Sequence, residues 1–361
     1  MIYILIFTFI TIYLYFSERI KANNFLLQLI VWFPAFLVFF LPMAIQDSVG
    51  TDYESYKLMY YDNDLSLYLI KGEFFLIEVV NLAKFFGDPQ FIFVIFSFLI
   101  SLSFFYSLFL FKKVGFSPWL IFLIYFLVTG LYQTSFNVLR QSLVFSFLVL
   151  LIYWIVKKEN LKFFAGIILL GFVHKTVYLY SVLYFLFKKI PSKKIVFYIF
   201  LVSMFFYALF NQKILLSYIL NAPIVASLTG NYSYYIDTDF FEAGKIASVL
   251  TKLYYLPVFF CFWFFYLRDK KEDVFFDFSI FVWSVTYFMF LQMMYIEIYF
   301  RIWNMFSLLC ILPIYYLFQI LYRKNIWLLG FLVLYLFLPF FVKVFVFPSA
   351  EYEYNYIKYL F

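Results

Sequence analysis

Charged residues are scarce in this sequence. They make up only 13% of its 361 residues, whereas 66% are hydrophobic and the mean hydropathy is +0.94. Soluble domains carry about 25% charged residues, so water does not surround this chain along most of its length. A soluble globular fold is therefore excluded, and an integral membrane protein is predicted.

Cysteine and histidine are also rare, with two cysteines and one histidine in the whole chain. Cys261 and Cys310 both fall in apolar stretches, where cysteine is usually a small packing residue, so no disulfide framework is predicted. A lone histidine does not make a histidine cluster, and the sequence has no other spacing typical of metal ligands. We therefore predict no metal and no cofactor.

Long apolar runs recur along the chain, many of them near the 20 residues that a helix needs to cross a bilayer. The run 91–111 is apolar on every side, whereas strands of a transmembrane barrel alternate polar and apolar residues. We predict an all-α, polytopic membrane protein with about twelve spans in one domain, residues 1–361. The predicted spans are 2–16, 25–45, 89–111, 117–132, 137–156, 161–173, 175–187, 195–210, 245–267, 275–295, 300–321 and 326–347.

Lysine and arginine collect in the loops on one side of this span map, which receives 16 of the 27. The positive-inside rule makes that side cytoplasmic, so the pI of 9.0 reflects topology rather than a nucleic-acid surface. The long segments near 46–88 and 211–244 then lie outside, where function is expected. Within the first of them, residues 73–86 are too polar to cross and predict an amphipathic helix on the outer surface.

The first of four polar clusters on the outer side is Gly50-Thr51-Asp52-Tyr53, followed by Tyr56. The glycine permits a turn that would hold Asp52 near the membrane surface, where a carboxylate can act as a general base. A solvated loop acid or a helix N-cap is the alternative for Asp52. Tyrosines offer rings and hydroxyls to sugars, although anchoring at the membrane interface is their commoner role.

The second cluster opens the fifth predicted span. The spacing of Asn137, Arg140 and Gln141 predicts that they share one face of a helix. An arginine at the end of a span is costly unless it reaches the interface or meets an anion. Because two amides flank this arginine on the same face, a polar binding face is favoured over simple snorkelling.

The remaining two clusters contain the only histidine and a charged stripe. His174 and Lys175 lie between two short spans, where the imidazole is either a structural hydrogen-bonding group or a functional one. Glu297, Arg301 and Asn304 follow a spacing of i, i+4 and i+7 at the outer end of the eleventh span. A structural ion pair within one helix is the alternative for the glutamate and the arginine.

The four clusters bring cations, carboxylates and one imidazole to a single membrane face. The forked donors of arginine suit phosphate oxygens, and a carboxylate can take a proton from an attacking hydroxyl. Cations can also stabilise a departing diphosphate. This set of side chains is what a site for a lipid-linked pyrophosphate in the outer leaflet requires.

In order and spacing, these motifs resemble those of the EpsG-like branch of Wzy-type bacterial polysaccharide polymerases. The resemblance rests on residues 50–53 with Tyr56, Asn137 with Arg140 and Gln141, residues 174–176, and Arg301. It implies a GT-C-like glycosyltransferase of the bacterial inner membrane, with its active site on the outer face. Such an enzyme joins repeat units carried on undecaprenyl diphosphate into O-antigen, capsule or exopolysaccharide.

The resemblance also implies partners and roles. The partners are the undecaprenyl-diphosphate-linked oligosaccharide and membrane lipid, with a chain-length regulator as a further candidate and no nucleic acid. Asp52 is expected to be the general base, Glu297 its substitute, and His174 a catalytic group that orients or assists. The residues expected to bind substrate, with Arg140, Lys175 and Arg301 on the diphosphate, are Tyr53, Tyr56, Asn137, Arg140, Gln141, Lys175, Arg301 and Asn304.

Two other activities stay open, namely an O-antigen ligase and a flippase for the same lipid-linked sugar. A transporter is less favoured because its polar residues usually lie near the bilayer midplane between repeated halves. Here the polar clusters map to one membrane boundary, and the sequence has no visible internal repeat.

Overall fold

The computed structural model describes residues 2–20, 22, 24–62, 65–209, 253–292, 298–348 and 352, and every regular element in these ranges is helical. The predicted outer loop 211–244 lies outside the described residues. Helices α1 to α14 are Ile2–Ser17, Phe25–Val31, Phe33–Ala44, Tyr53–Tyr61, Ser66–Lys71, Phe74–Phe86, Gln90–Lys113, Pro118–Ile124, Leu131–Thr134, Leu139–Ser146, Leu148–Val156, Asn160–Gly171, Ser181–Phe187 and Lys193–Leu209. Further α-helices are Leu256–Tyr266, Val274–Gln292, Ile298–Phe306, Ile311–Lys324 and Ile326–Phe341. Short π or 3-10 turns are Tyr125–Thr129, Lys175–Tyr180, Ser307–Cys310 and Val342–Val346.

Five helical stretches in the described part are long and apolar enough to cross a membrane. They are Gln90–Lys113, Leu139–Val156, Val274–Leu291, Arg301–Lys324 and Ile326–Val346. Helices α2 and α3 make a sixth if they are counted as one span, and several shorter apolar helices coincide with other predicted spans. The all-α, polytopic membrane fold is therefore confirmed, while the number of twelve spans stays a prediction.

The second predicted span is broken, because α2 and α3 meet at an angle of 79°. Pro34 lies in the first turn of α3. Proline has no backbone N–H and fits the start of a helix better than its interior, so it favours a new helix here over continuation of α2. The apolar run from 25 to 45 therefore folds as two helices.

The chain divides into two compact units, and each is described by itself. The first comprises residues 1–151, 169–174 and 326–361. Its core is aromatic: the ring of Phe39 on α3 stacks on that of Phe104 on α7 with centroids 4.8 Å apart, and Tyr132 lies 4.7 Å from Phe39. These rings hold α3, α7 and the segment before α10 together. The single-domain organisation stays a prediction.

Serines set the contact between α7 and α10. The hydroxyls of Ser103 and Ser146 are hydrogen-bonded to each other, and the hydroxyl of Ser107 donates to the carbonyl of Ser146 at 3.0 Å. Small side chains allow membrane helices to approach closely, and hydroxyls bond well in an apolar setting. This contact fixes α10, and with it Arg140 at its first turn.

Side chains of α7 bind neighbouring segments of the first unit at both ends of the helix. At one end Lys112 Nζ donates to the carbonyl of Ile20 at 2.8 Å and to Gln28 Oε1 at 2.9 Å. At the other end Gln90 Nε2 donates to the carbonyls of Ala44 at 2.7 Å and Gln46 at 3.0 Å. Since a helix of 24 residues is about 36 Å long, the predicted cytoplasmic and outer loops of this unit lie at opposite ends.

The second unit comprises residues 152–168 and 175–325, and it has an aromatic core of its own around Trp283. The ring of Phe200 stacks on this indole with centroids 5.1 Å apart. Lys193 Nζ donates to the carbonyls of Asp269 at 3.0 Å and Lys271 at 2.7 Å. Two loops that the sequence predicts to be cytoplasmic therefore meet at one end of this unit.

Candidate active site

The first predicted outer loop is fastened to the segment that precedes α10. The side-chain oxygen of Asn137 accepts hydrogen bonds from the Thr51 hydroxyl at 3.1 Å and the Asp52 backbone N–H at 2.8 Å. Gly50 has a φ of +79°, and a Cβ at this position would lie 3.0 Å from the same oxygen. The predicted turn at Gly50 is confirmed, and a bare α-carbon makes room for the amide that holds the loop.

Asn137 itself departs from the prediction that it shares a helix face with Arg140 and Gln141. Helix α10 begins at Leu139, and Asn137 belongs to a turn in which its N–H donates to the carbonyl of Thr134 at 3.0 Å. The reason is that this turn satisfies the backbone locally and frees the side chain to cap the outer loop. Gln141 is on the helix and buried.

Asp52 lies at the N-cap position of α4, which carries the two predicted tyrosines. The Asp52 carboxylate is half-buried and accepts a hydrogen bond from the Thr51 hydroxyl at 3.4 Å. Tyr53 is buried with its ring stacked on Phe93 at 4.7 Å, and burial, followed by the charge of nearby Asp47, raises the pKa of its phenol. Tyr56 is also buried, and its hydroxyl is hydrogen-bonded to Arg140.

Arg140 forms an ion pair with Glu73, the residue directly before α6. The Glu73 side chain is only 3% exposed and that of Arg140 is 19% exposed. The guanidinium also lies over the ring of Tyr68, 5.0 Å from its centroid. Within the described part of the chain, Arg140 Nε has no hydrogen-bond partner, so one donor of the guanidinium is uncommitted.

His174 faces the second oxygen of the same carboxylate. Its Nε2 lies 4.0 Å from Glu73 Oε1, which is longer than a hydrogen bond, and its side chain is 12% exposed. A backbone hydrogen bond of 3.1 Å from Phe75 N–H to the carbonyl of Phe172 joins the start of α6 to the end of α12. Glu73 is thereby held between a guanidinium and an imidazole that come from distant parts of the sequence.

Tyr68 lies within the electrostatic range of all these charges. Burial raises the pKa of its phenol, Arg140 opposes that rise, and Glu73 and Asp52 add to it. The phenol therefore stays protonated and can donate a hydrogen bond. The first unit thus gathers the predicted residues Asp52, Tyr56, Asn137, Arg140 and His174 at the end that the sequence predicts to be outer, together with Glu73 and Tyr68.

Glu73 is a site residue that the sequence did not predict. The sequence predicts an amphipathic surface helix over residues 73–86, whereas Glu73 lies buried directly before α6. Glu78 and Asn81 are exposed as expected, whereas Glu73 precedes the first turn and is buried, where its carboxylate pairs with Arg140 and faces the imidazole of His174. The only local signal is an acid placed directly between Gly72 and two phenylalanines.

The predicted residues Lys175, Arg301 and Asn304 belong to the second unit. Lys175 begins the turn Lys175–Tyr180 with its Nζ 5.6 Å from the ring centroid of Tyr178. The Tyr180 hydroxyl donates to the carbonyl of Met305 at 2.8 Å, which joins this turn to helix Ile298–Phe306. That helix carries Arg301 and Asn304.

Asn304 is buried, and its Nδ2 has no hydrogen-bond partner among the described residues. Glu297, the predicted substitute base, lies outside the described residues. The stripe that Glu297, Arg301 and Asn304 were predicted to form therefore stays a prediction.

The model of the EpsG family matches residues 29–361 of this chain, a range that includes every site residue described above. The chain belongs to the EpsG family. The resemblance found from the sequence motifs is therefore confirmed. Neither a curated protein nor a solved structure matches the EpsG-family chain.

Proposed function

We propose that this EpsG-family protein is a membrane glycosyltransferase that extends a bacterial surface polysaccharide. It would transfer the growing glycan from undecaprenyl diphosphate to a hydroxyl of the next lipid-linked repeat unit, on the outer face of the cytoplasmic membrane. The main support is the Glu73 carboxylate, held between Arg140 and His174 at the end of a membrane helix bundle. Family membership supports the class of reaction.

Arg140 is suited to bind the diphosphate. Its Nη1 is held by Glu73, which fixes the orientation of the planar guanidinium, while the exposed part of the group is left to a ligand. In a site that excludes water, a prepositioned cation stabilises the negative charge that develops on the departing diphosphate. The expected role of Lys175 and Arg301 on the diphosphate stays a prediction.

The reaction also needs a group that accepts a proton. The acceptor oxygen bonds to the anomeric carbon, the bond from that carbon to the diphosphate oxygen breaks, and the hydroxyl proton passes to a base. Asp52 is the first candidate, held near Tyr68 by the Asn137 contact. His174 is the second, because its imidazole faces the Glu73 carboxylate across 4.0 Å in the same site.

Substitution of these side chains tests the proposal. Arg140→Gln and Glu73→Gln should leave single repeat units on the lipid carrier in place of long polymer, measured by gel electrophoresis of surface polysaccharide from a strain that lacks the chromosomal copy. Glu78→Gln is the matched control, because this glutamate lies on the same helix and is exposed. Asp52→Asn and His174→Gln are compared with each other to identify the base, because of these two variants only the one that removes the base should abolish polymer.

Two results would overturn the proposal. Wild-type polymer from all four variants would remove the site, provided that each protein is present in the membrane. Long polymer that accumulates on the carrier would instead indicate a ligase. Purified protein that polymerises lipid-linked units in vesicles without an ion gradient would exclude a transporter.

A further inference from the structure

Helix α5 and the first residue of α6 expose large apolar side chains. Ile70 is 83% exposed, and Leu67, Leu69 and Phe74 are each about half exposed. Tyr68, on the same helix, lies instead beside the guanidinium of Arg140. A short helix with such a surface is unexpected in water, where contiguous apolar patches usually mark a contact with a partner or a membrane.

This apolar surface continues onto a membrane-type helix. The rings of Phe74 and Phe172 lie 5.9 Å apart, and the backbone bond from Phe75 to Phe172 fastens the two segments together. Phe172 follows α12, an apolar helix whose last turn exposes 65% of Leu169. Exposed apolar faces of helices in a polytopic membrane protein lie against lipid tails, so the same lipid extends onto α5 and Phe74.

Helix α5 is too short to cross the membrane. Six residues of helix span about 9 Å, far short of a bilayer, so α5 lies in the interface rather than across the membrane. The exposed Lys71 at its end can extend to lipid phosphates while the apolar side chains stay below.

We propose that α5, together with Phe74 and Phe172, inserts into the lipid leaflet next to the site and is covered by the acyl chains of membrane phospholipids. Such interfacial segments lie about 5–10 Å into the headgroup and acyl boundary. Because Tyr68 is on the opposite side of the same helix, Arg140 then lies at the level of the lipid phosphates. If the proposed function also holds, a lipid-linked diphosphate reaches Arg140 without leaving the leaflet.

Depth-dependent quenching tests this contact in the full-length protein. In a background with Cys261→Ala and Cys310→Ala, a single cysteine at Ile70→Cys carries the environment-sensitive fluorophore NBD, and the protein is reconstituted in phosphatidylcholine vesicles. Glu54→Cys is the control, because Glu54 is exposed on α4 at the same end of the unit. Leu67→Cys is a second test position in case the first variant fails to fold.

The label at residue 70 or 67 should be quenched several-fold more strongly by doxyl-labelled phosphatidylcholine than the label at 54, and several-fold less by aqueous iodide. Equal quenching by iodide at both positions would overturn the proposal, because α5 would then lie in water. Protection from both quenchers would also overturn it, since a second copy of the chain would then cover the surface. The measurement needs no activity, so its failure is distinguishable from failure of the proposed function.

Discussion

The buried ion pair between Glu73 and Arg140 is open to a double-mutant cycle. Removing one partner of a buried pair leaves an uncompensated charge and typically costs about 3–5 kcal/mol of unfolding free energy. Because the Arg140 side chain is 19% exposed, we expect Glu73→Gln to fall at the low end, about 3 kcal/mol. Arg140→Gln should cost a similar amount, since it leaves the Glu73 carboxylate buried beside His174 alone.

The double variant should recover part of this loss. A glutamine at both positions removes both charges, so the two costs should not add, and a coupling of about 2 kcal/mol is expected. The assay is thermal unfolding in detergent, followed through the intrinsic fluorescence of the seven tryptophans. Each single variant should lower the midpoint by several degrees, and the double variant should lower it by less than their sum.

The exposed Glu78 provides the control for the ion pair. Glu78→Gln, on the exposed side of the same helix, should change stability by no more than about 0.5 kcal/mol. Strictly additive effects, or single variants as stable as this control, would mean that the pair is not buried and coupled as described. The double variant should regain stability but not polymer, which separates the structural contribution of the pair from its proposed function.

Three further changes test other parts of the fold. Gly50→Ala should lower the stability of the folded loop by about 1–3 kcal/mol, because φ is +79° and the added Cβ lies 3.0 Å from Asn137 Oδ1. Proteolysis of the loop should then be faster, and an unchanged rate would contradict the contact. Tyr68→Phe keeps the ring beside Arg140 and should preserve the folded protein, whereas Tyr68→Ala should lower the unfolding midpoint; equal midpoints would argue against the cation–π contact. Burial opposes ionisation of Asp269, yet its pKa is lowered because the Lys271 N–H, the Tyr316 hydroxyl and nearby lysines favour the carboxylate. The stabilisation from this carboxylate is therefore present above its ordinary pKa and is lost as pH falls through the lowered value. Asp269→Asn should flatten the acid part of the profile of unfolding midpoint against pH, and identical profiles for the two proteins would refute the assignment.

The membrane fold was predictable because its signals are local. Continuous apolar runs indicate membrane helices whatever their partners are. The distribution of loop lysines and arginines predicts that Lys112 and the loop near residue 20 lie on the same side, and the contact of Lys112 with Ile20 confirms this for the first unit. What these signals do not contain is where a run breaks. The bend between α2 and α3 and the turn before Leu139 depend on local capping and on tertiary hydrogen bonds, neither of which changes the hydropathy of the run.

The candidate site was predictable only in part. Arg140 and Asn137 stand out because polar residues are expensive at the end of a span, and the structure gives each of them a specific partner. Glu73 does not stand out, since an acid in a predicted outer loop is ordinary. Its significance comes entirely from Arg140, which lies 67 residues away, and from His174, and no periodicity encodes such a contact.

The irregular backbone between Tyr125 and Leu139 explains how this site can exist at the end of a membrane bundle. Unpaired backbone groups are tolerated at membrane depth only where protein or water satisfies them. Here the Thr129 hydroxyl donates to the carbonyl of Tyr125 at 2.8 Å and accepts from the N–H of Leu131 at 3.2 Å, so a side chain replaces the missing helical bonds. Because the helical path is interrupted at Gly130 and again between α9 and α10, Asn137 can reach the predicted outer loop while Arg140, three residues on, reaches Glu73. A continuous helix through this segment would remove the turn that gives Asn137 its direction.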